Sequence, residues 1–388
     1  MLKSYKYRIY PNKEQIQKMN NHFGCVRYVY NQGLDEKTKA YQKTGKSPSC
    51  FDLTNFMLKK EKEENIWLKD VYSQCLQMSL RNLDNAFNAF FRKQNRFPKF
   101  KSKNNGHQSF QYPQNVKVLF EENKIKLPKI GKVKAKLYRE FNGKIGTVTV
   151  SKTPTNKYFV SVLVDDGKET PVKPKKLTKK TTVGIDLGIK DFCILSNGEK
   201  IENQKHLKKS INRLKVLQRR KDKKKKGGVN RKKANFKLAK LHEKITNQRN
   251  DFLHKISSKI IDENQAICIE DLNTKGMMKN HCLAQSIADV GWGRFVEFLK
   301  YKSEWKGKNL IQIGRFDPST KTCSVCGEIN KDLTLKDREW KCVCGKEHDR
   351  DINAAKNIKN FGMIKFRKYI GLGRPGKLTE MSGVKQNR

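Results

Sequence analysis

The sequence predicts a multidomain α+β protein: a small β-barrel or twisted sheet with helices inserted into it, then a mixed α/β domain. Three observations lead there. β-Branched runs flank a long helically spaced stretch, a proline- and lysine-rich segment follows them near residue 175, and strands and helices interleave after it. At 388 residues the chain exceeds one ordinary core and fits two or three domains.

Residues 2 to 9 alternate and are rich in Tyr and Ile, a strand pattern that Pro11-Asn12 cuts off. From about Lys13 to Lys103 the apolar spacing is helical. Phe23, Val26, Val29 and Tyr30 form one group, and Leu76, Leu80, Leu83, Phe87, Phe90 and Phe91 another. Between 109 and 165 the runs VKVLF, KIKLP, TVTVS and YFVSVLV are strand-like and parted by Asn, Gly and Pro turns. Residues 1 to 10 are therefore expected to pair with these later strands. PVKPKKLTKKT, 171 to 181, reads as a solvated linker and the main domain boundary.

Beyond it, TVGIDLGI and DFCILSN are strands with a tight connection, a helical region runs to Asn264, and AICIEDL at 266 to 272 is a further strand. Between Lys205 and Ile245 there are 18 Lys or Arg and 2 acids. Even so, Ala234, Leu238, Leu241, Ile245, Phe252, Ile256 and Ile260 keep a helical stripe, which predicts two long helices around a KKKKGGVN turn.

Lys and Arg number 85 against 38 acids, a net charge of +47 that would self-repel without a polyanion to screen it. Nucleic acid is the expected partner, although charge alone does not separate an enzyme from a structural binder. A run such as Arg219 to Lys226 is either a solvated face or a phosphate contact. No apolar run approaches a membrane span, and MLKSYKYRIY is not followed by a secretory apolar region, so a cytoplasmic, nucleoid-associated location is expected. Six of the ten cysteines (Cys25, Cys50, Cys75, Cys193, Cys268 and Cys282) have no partner at ligand spacing and are expected to be small buried residues.

The remaining four form Cys323-x2-Cys326 and Cys342-x-Cys344, two short pairs able to present four thiolates to one tetrahedral Zn²⁺. The second pair is one residue tighter than a usual knuckle, so the fourth ligand is Cys344 or His348. Four thiolates close the shell and leave no water to activate, which makes such a zinc structural. Asp186 sits in an otherwise apolar strand, where an unpaired charge costs several kcal/mol and a metal ion would compensate it. Glu270 ends the strand AICI, and Asp349 and Asp351 open a helix. Carboxylates at three element ends suit two Mg²⁺ or Mn²⁺ ions and in-line phosphodiester hydrolysis. Each also has a local alternative: a turn cap for Asp186, a surface acid for Glu270, an N-cap for Asp351 and, as first choice, for Asp349.

GIDLGIK, IEDLN, TKTCSVCG and WKCVCGKEHDRDINAAKNI, together with YKYRIYPNKEQ, RYVYNQGL, LRNLDNAFNAFF and RFPKFKSK in the first half, resemble TnpB, the transposon-encoded RNA-guided nucleases. The resemblance spans nearly the whole chain. It implies a wedge β-barrel (1–10 plus 106–175) interrupted by a helical recognition domain (11–105). An RNase H-like RuvC domain (176–370) would follow, carrying a zinc ribbon at about 316–348, and then a flexible tail (371–388). It implies a catalytic triad of Asp186, Glu270 and Asp351, a guide RNA from the transposon end, and a target DNA with a short flanking motif. Sequence would then be selected mainly by base pairing. Gln74, Gln77 and Arg81 are candidates for reading the flanking motif, because Gln pairs with adenine edges and Arg with guanine edges. Arg219, Arg220 and Lys321 are further candidates for nucleic-acid contact. A compact type V CRISPR effector and a non-cleaving RNA-guided repressor are the alternatives.

Overall fold

A computed structural model describes residues 1 to 371 apart from 105 and 335, and the chain folds as two compact units that divide between Glu169 and Thr170. The segment expected to be a flexible tail lies, beyond Gly371, outside the described residues. No helix among those described is long and apolar enough to cross a membrane.

The first unit opens with strand β1 (Leu2–Tyr10) and helices α1 (Lys13–Thr44), α2 (Cys50–Asp52), α3 (Leu58–Glu64) and α4 (Ser73–Phe91). Strands β2 (Gln108–Tyr112), β3 (Lys117–Leu119), β4 (Lys124–Leu127), β5 (Gly131–Lys136), β6 (Lys144–Lys152) and β7 (Tyr158–Asp165) follow. Pro11 ends β1, and Asn12 caps α1 reciprocally with Gln15, each side chain accepting the other residue's backbone N–H. The sheet is antiparallel throughout, in the order β2-β6-β7-β1-β5-β4-β3. β1 lies in its middle, with Leu2 against Asp165 and Ile9 against Tyr158 of β7. The strand patterns on either side of the helices thus belong to one sheet.

Of the barrel or twisted sheet that the sequence allowed, the sheet forms, and the wedge β-barrel that the resemblance implies does not close. Among the described residues the end strands β2 and β3 are not bonded to each other, and the sheet stays open. The reason lies in what covers its apolar face. α1 and α4 lie against β2, where Phe110 meets Phe23 edge-on and His22 at a tilt, at ring distances of 5.0 and 4.9 Å, and Asn82 donates to Gln111 at 2.8 Å. Val26, Val29, Leu76 and Leu80 from the helices share one core with Val148, Val160 and Val162 from the sheet. Area that closure would bury is already removed from water by the helices.

The second unit begins with strands β8 (Thr182–Leu187), β9 (Asp191–Leu195) and β10 (Lys200–Glu202), then helices α5 (His206–Asp222) and α6 (Val229–Glu263). β11 (Ala266–Glu270), α7 (Thr274–Met277), α8 (His281–Val290), α9 (Trp292–Trp305) and β12 (Asn309–Ile313) come next. β13 (Glu339–Lys341), β14 (Glu347–Asp349) and α10 (Arg350–Gly371) complete it. The main sheet has the order β10-β9-β8-β11-β12, with β8, β11 and β12 parallel. Its central strands are covered on both faces, so apart from Asp186 and Glu270 near their ends they read as mostly apolar runs. Ile267 and Ile269 face Leu253, Ile260, Phe295 and Leu299 of α6 and α9, whereas Cys268 and Ile311 face Ile358 and Phe366 of α10.

Close approach of α10 to β8 requires glycine at 184, because a Cβ there would overlap the Ala355 carbonyl oxygen. The segment read as a linker is tied to this unit: Leu177 packs on the α10 side of the sheet, and Asn309 donates to the Pro174 carbonyl at 2.9 Å. The basic region forms the two expected helices. Arg231 closes the turn between them by donating to the Lys221 and Lys224 carbonyls. At the start of α5, Asp289 accepts the N–H groups of Leu207 and Lys208 at 2.9 and 3.1 Å and pairs with Arg249 at 3.4 Å. Of the six scattered cysteines, Cys25, Cys75, Cys193 and Cys268 are buried as expected. Cys50 is only partly covered, and Cys282 is exposed in the first turn of α8, with its sulfur beside the His281 ring.

Candidate active site

The three carboxylates singled out in the sequence reach one region from three elements. Asp186 stands near the end of β8, Glu270 is the last residue of the adjacent strand β11, and Asp351 lies in the first turn of α10, the helix packed on β8. Parallel pairing brings the ends of β8 and β11 side by side, with Ile269 opposite Ile185. Burial, and then the negative charges of Glu270 and Asp351, push the Asp186 carboxyl up to about 7. Glu270 is also raised, by burial first and by Asp317, against a hydrogen bond from the Ser319 hydroxyl at 2.5 Å. A surplus of buried negative charge of this kind suits a divalent cation with oxygen ligands.

Asp351 is held differently. Its carboxylate accepts from Arg350 at 3.1 Å and from Arg338 at 3.2 Å. Among the described residues the carboxylates are not gathered as tightly as the four cysteines discussed below. Asp349 takes the N-cap role that the sequence suggested. One of its oxygens accepts the N–H groups of Asp351 and Ile352 at 3.0 Å, and the other meets Lys200 at 2.6 Å. Burial works against its charge, but Lys200 and these N–H groups hold Asp349 below the usual carboxylate range. Asp271 turns away from Glu270 to pair with Arg315 at 3.3 Å.

Cys323, Cys326, Cys342 and Cys344 form a cluster whose sulfurs all lie within 4.8 Å of one another. The first pair lies in a turn closed by the Thr322–Ile329 bridge, and the second lies between β13 and β14. Sulfurs of Cys323 and Cys344 are 3.8 Å apart, and those of Cys326 and Cys342 are 3.5 Å apart. Four thiolates around one zinc at about 2.3 Å stand about 3.8 Å apart, so the cluster fits that ion. His348, the other candidate ligand, meets the Cys323 sulfur from behind at 3.1 Å, with its ring against Trp340.

The proposed nucleic-acid contacts are more scattered. Gln77 and Arg81 are exposed one turn apart on α4, while Gln74 is half-buried and accepts from the Tyr72 hydroxyl. Arg219 and Arg220 are exposed in the last turn of α5. Lys321 is exposed but donates to the Lys331 carbonyl. Sequence reasoning missed Arg338, Arg350 and Ser319. Arginine and serine carry no pattern of their own, and only the fold shows that their side chains meet Asp351 and Glu270.

Comparison with known proteins follows this geometry. Residues 160–281 match a family described as a probable transposase, OrfB of the IS605 group, and residues 1–46 match its helix-turn-helix domain. Residues 292–358 match the Cas12f1-like TNB domain. A Streptomyces pristinaespiralis protein named as a candidate RNA-guided DNA endonuclease is 38% identical over 99% of this chain and 96% of its own. InsQ of Escherichia coli strain K12, similarly named, is 31% identical over 98% of each. In fold, the chain is similar to Cas12f1 from its complex with guide RNA and target DNA, with a TM-score of 0.58 at 14% identity, covering 93% of this chain and 99% of that one. With relatives of such identity running the length of both chains, the protein belongs to the TnpB (OrfB) family of transposon-encoded proteins.

Proposed function

We propose that the protein is an RNA-guided DNA endonuclease of a transposon. It takes a guide RNA from the transposon end and cleaves guide-paired DNA beside a short flanking motif. The observation that carries this reading is the convergence of Asp186, Glu270 and Asp351 from three elements, with Asp186 pushed to about 7 by burial and by the other two charges. Three such acids in a chain of net charge +47 suit phosphodiester cutting on a polyanionic substrate.

Asp186, Glu270 and Asp351 would hold Mg²⁺ or Mn²⁺ as a pair of ions. Bound there, such ions supply an activated water and stabilise the leaving oxygen. Asp186 and Glu270 offer half-buried carboxylate oxygens from neighbouring strand ends, and Asp349 fixes the helix turn that presents Asp351. Arg338, exposed and paired with Asp351, would meet a phosphate, while the buried Arg350 holds the same carboxylate from inside. The four-cysteine cluster would hold one structural Zn²⁺.

In this reading residues 1–10 and 106–175 are the wedge, 11–105 the recognition region with Gln74, Gln77 and Arg81 on the flanking motif, and 176–370 the RuvC domain with its zinc ribbon at about 316–348. Arg219, Arg220 and Lys321 grip nucleic-acid backbone, and the protein works at the nucleoid. The Cas12f1-like match at 292–358 favours one second reading, a compact CRISPR effector. Whether transposon ends or a repeat array flank the gene decides between them.

The test is cleavage of a matched plasmid in Mg²⁺ by protein purified with its co-expressed RNA. The parent chain should cut, and Asp186→Ala should abolish cutting while RNA binding survives. Full cutting by the variant would defeat the mechanism.

A further inference from the structure

Between β12 and the first cysteine pair, the chain crosses from Glu270 to the helix that carries Asp351. Ser319, 4% exposed, donates its hydroxyl to Glu270 Oε1 at 2.5 Å. The same residue is gripped from the other side, where Asn357 of α10 donates its amide to the Ser319 carbonyl at 2.7 Å and to the Thr322 carbonyl at 2.5 Å. One turn earlier on α10, Asn353 donates to the Thr322 carbonyl at 2.7 Å, and its side-chain oxygen accepts the Ser324 N–H at 2.9 Å. Both asparagines are essentially fully buried, at 1% and 2% exposure. The Thr322 hydroxyl folds back onto the Pro318 carbonyl at 2.7 Å and stiffens the loop between.

These bonds run between the two elements that present the acids. Asn353 lies two residues after Asp351 on the same helix, so a loop clasped by Asn353 and Asn357 is fixed relative to Asp351. Through Ser319 it is also fixed relative to Glu270. We propose that Ser319 is a positioning residue for Glu270, and that the Asn353–Asn357 clasp makes the 318–324 loop the spacer that sets Glu270 against Asp351 for divalent-metal binding. The inference rests on the reading of Glu270 and Asp351 as metal-holding acids.

A buried carboxylate with a free torsion spreads over several rotamers, and a hydroxyl on one oxygen selects one. Loss of a partner behind a metal-holding carboxylate lowers metal affinity by about ten- to a hundredfold. A purely structural serine would change stability and leave metal affinity alone.

The experiment uses the full chain bound to its guide RNA and measures Mn²⁺ binding by the loss of the free-ion electron paramagnetic resonance signal. Plasmid cutting is followed over a Mg²⁺ titration alongside it. Ser319→Ala should weaken Mn²⁺ binding about tenfold and raise the half-saturating Mg²⁺ concentration about as much, with the maximal rate within about threefold of the parent. Ser319→Thr, which keeps the hydroxyl, should bind Mn²⁺ within about threefold of the parent. RNA binding serves as the folding control. Should either variant break it, Asn357→Asp takes its place, turning a donor into an acceptor against two carbonyls, with the same loss of Mn²⁺ affinity expected. Parent-like Mn²⁺ binding in Ser319→Ala overturns the proposal, as does equal weakening in both serine variants. Glu270→Gln separates the two levels of argument. If it binds Mn²⁺ and cuts as the parent does, the metal-site reading itself fails; if it does neither while Ser319→Ala is unchanged, only the role of Ser319 fails.

Discussion

Replacing Asp186 by Asn keeps the side chain's shape and removes a charge that the fold holds at a cost. The gap between an ordinary aspartate near 3.8 and about 7 in the folded protein corresponds to roughly 4 kcal/mol of penalty on the ionised form. Relaxation and an effective dielectric nearer 20 than 4 reduce what is realised to about 1–3 kcal/mol. Below the unfolded value both states hold the proton and the penalty is absent. Between about 4 and 7 the folded chain binds the proton more tightly than the unfolded chain, so stability falls as pH rises through that window. Asp186→Asn should therefore melt higher than the parent at pH 8 in a chelator, by roughly 2–12 °C at about 2–4 °C per kcal/mol, with a much smaller gap at pH 5. Cleavage should fall at least about a thousandfold, the equivalent of about 4 kcal/mol of lost transition-state stabilisation. Added Mg²⁺ should stabilise the parent and leave the variant nearly unmoved. Equal melting at pH 8, or the same gap at both pH values, would refute the reasoning.

Three further outcomes follow from the same structure. Gly184→Ala should destabilise the second unit by about 3 kcal/mol, read by thermal unfolding, because α10 has no room to retreat from a methyl group on β8. Asp289→Ala removes two caps from α5 and the partner of Arg249, and should cost about 2–4 kcal/mol in chemical denaturation. Cys323→Ser should lower bound zinc from about one per chain towards none in metal analysis, and open the β13–β14 region to protease.

Much of this was legible in the sequence, for identifiable reasons. β1 and its partner strands show the two-residue period, and β8 and β11 the mostly apolar runs of a sheet covered on both faces, whereas β12, NLIQI, is broken by Asn309 and Gln312 and did not stand out. Asp186 stood out because charge is rare inside such a run. Closure of the first sheet was not legible, since whether Phe110 and Tyr112 face other strands or α1 and α4 depends on packing that alternation does not encode. Ser319, Arg338 and Asn357 were invisible for a related reason. They act through partners 13 to 49 residues away in sequence, and each is of a type common on any surface.

The position of α10 has a consequence in time. Asp186 and Asp351 are 165 residues apart in sequence, and α10 is the last described element of its unit. At the usual pace of protein synthesis, roughly ten to thirty seconds separate the making of the first acid from that of the last. On the proposed reading of the three acids, no partly translated chain carries all of them, and cutting would await the docking on β8 of the helix that bears Asp351. On the same reading, products that stop before Asp351 would lack the acid that the fold brings to β8 last.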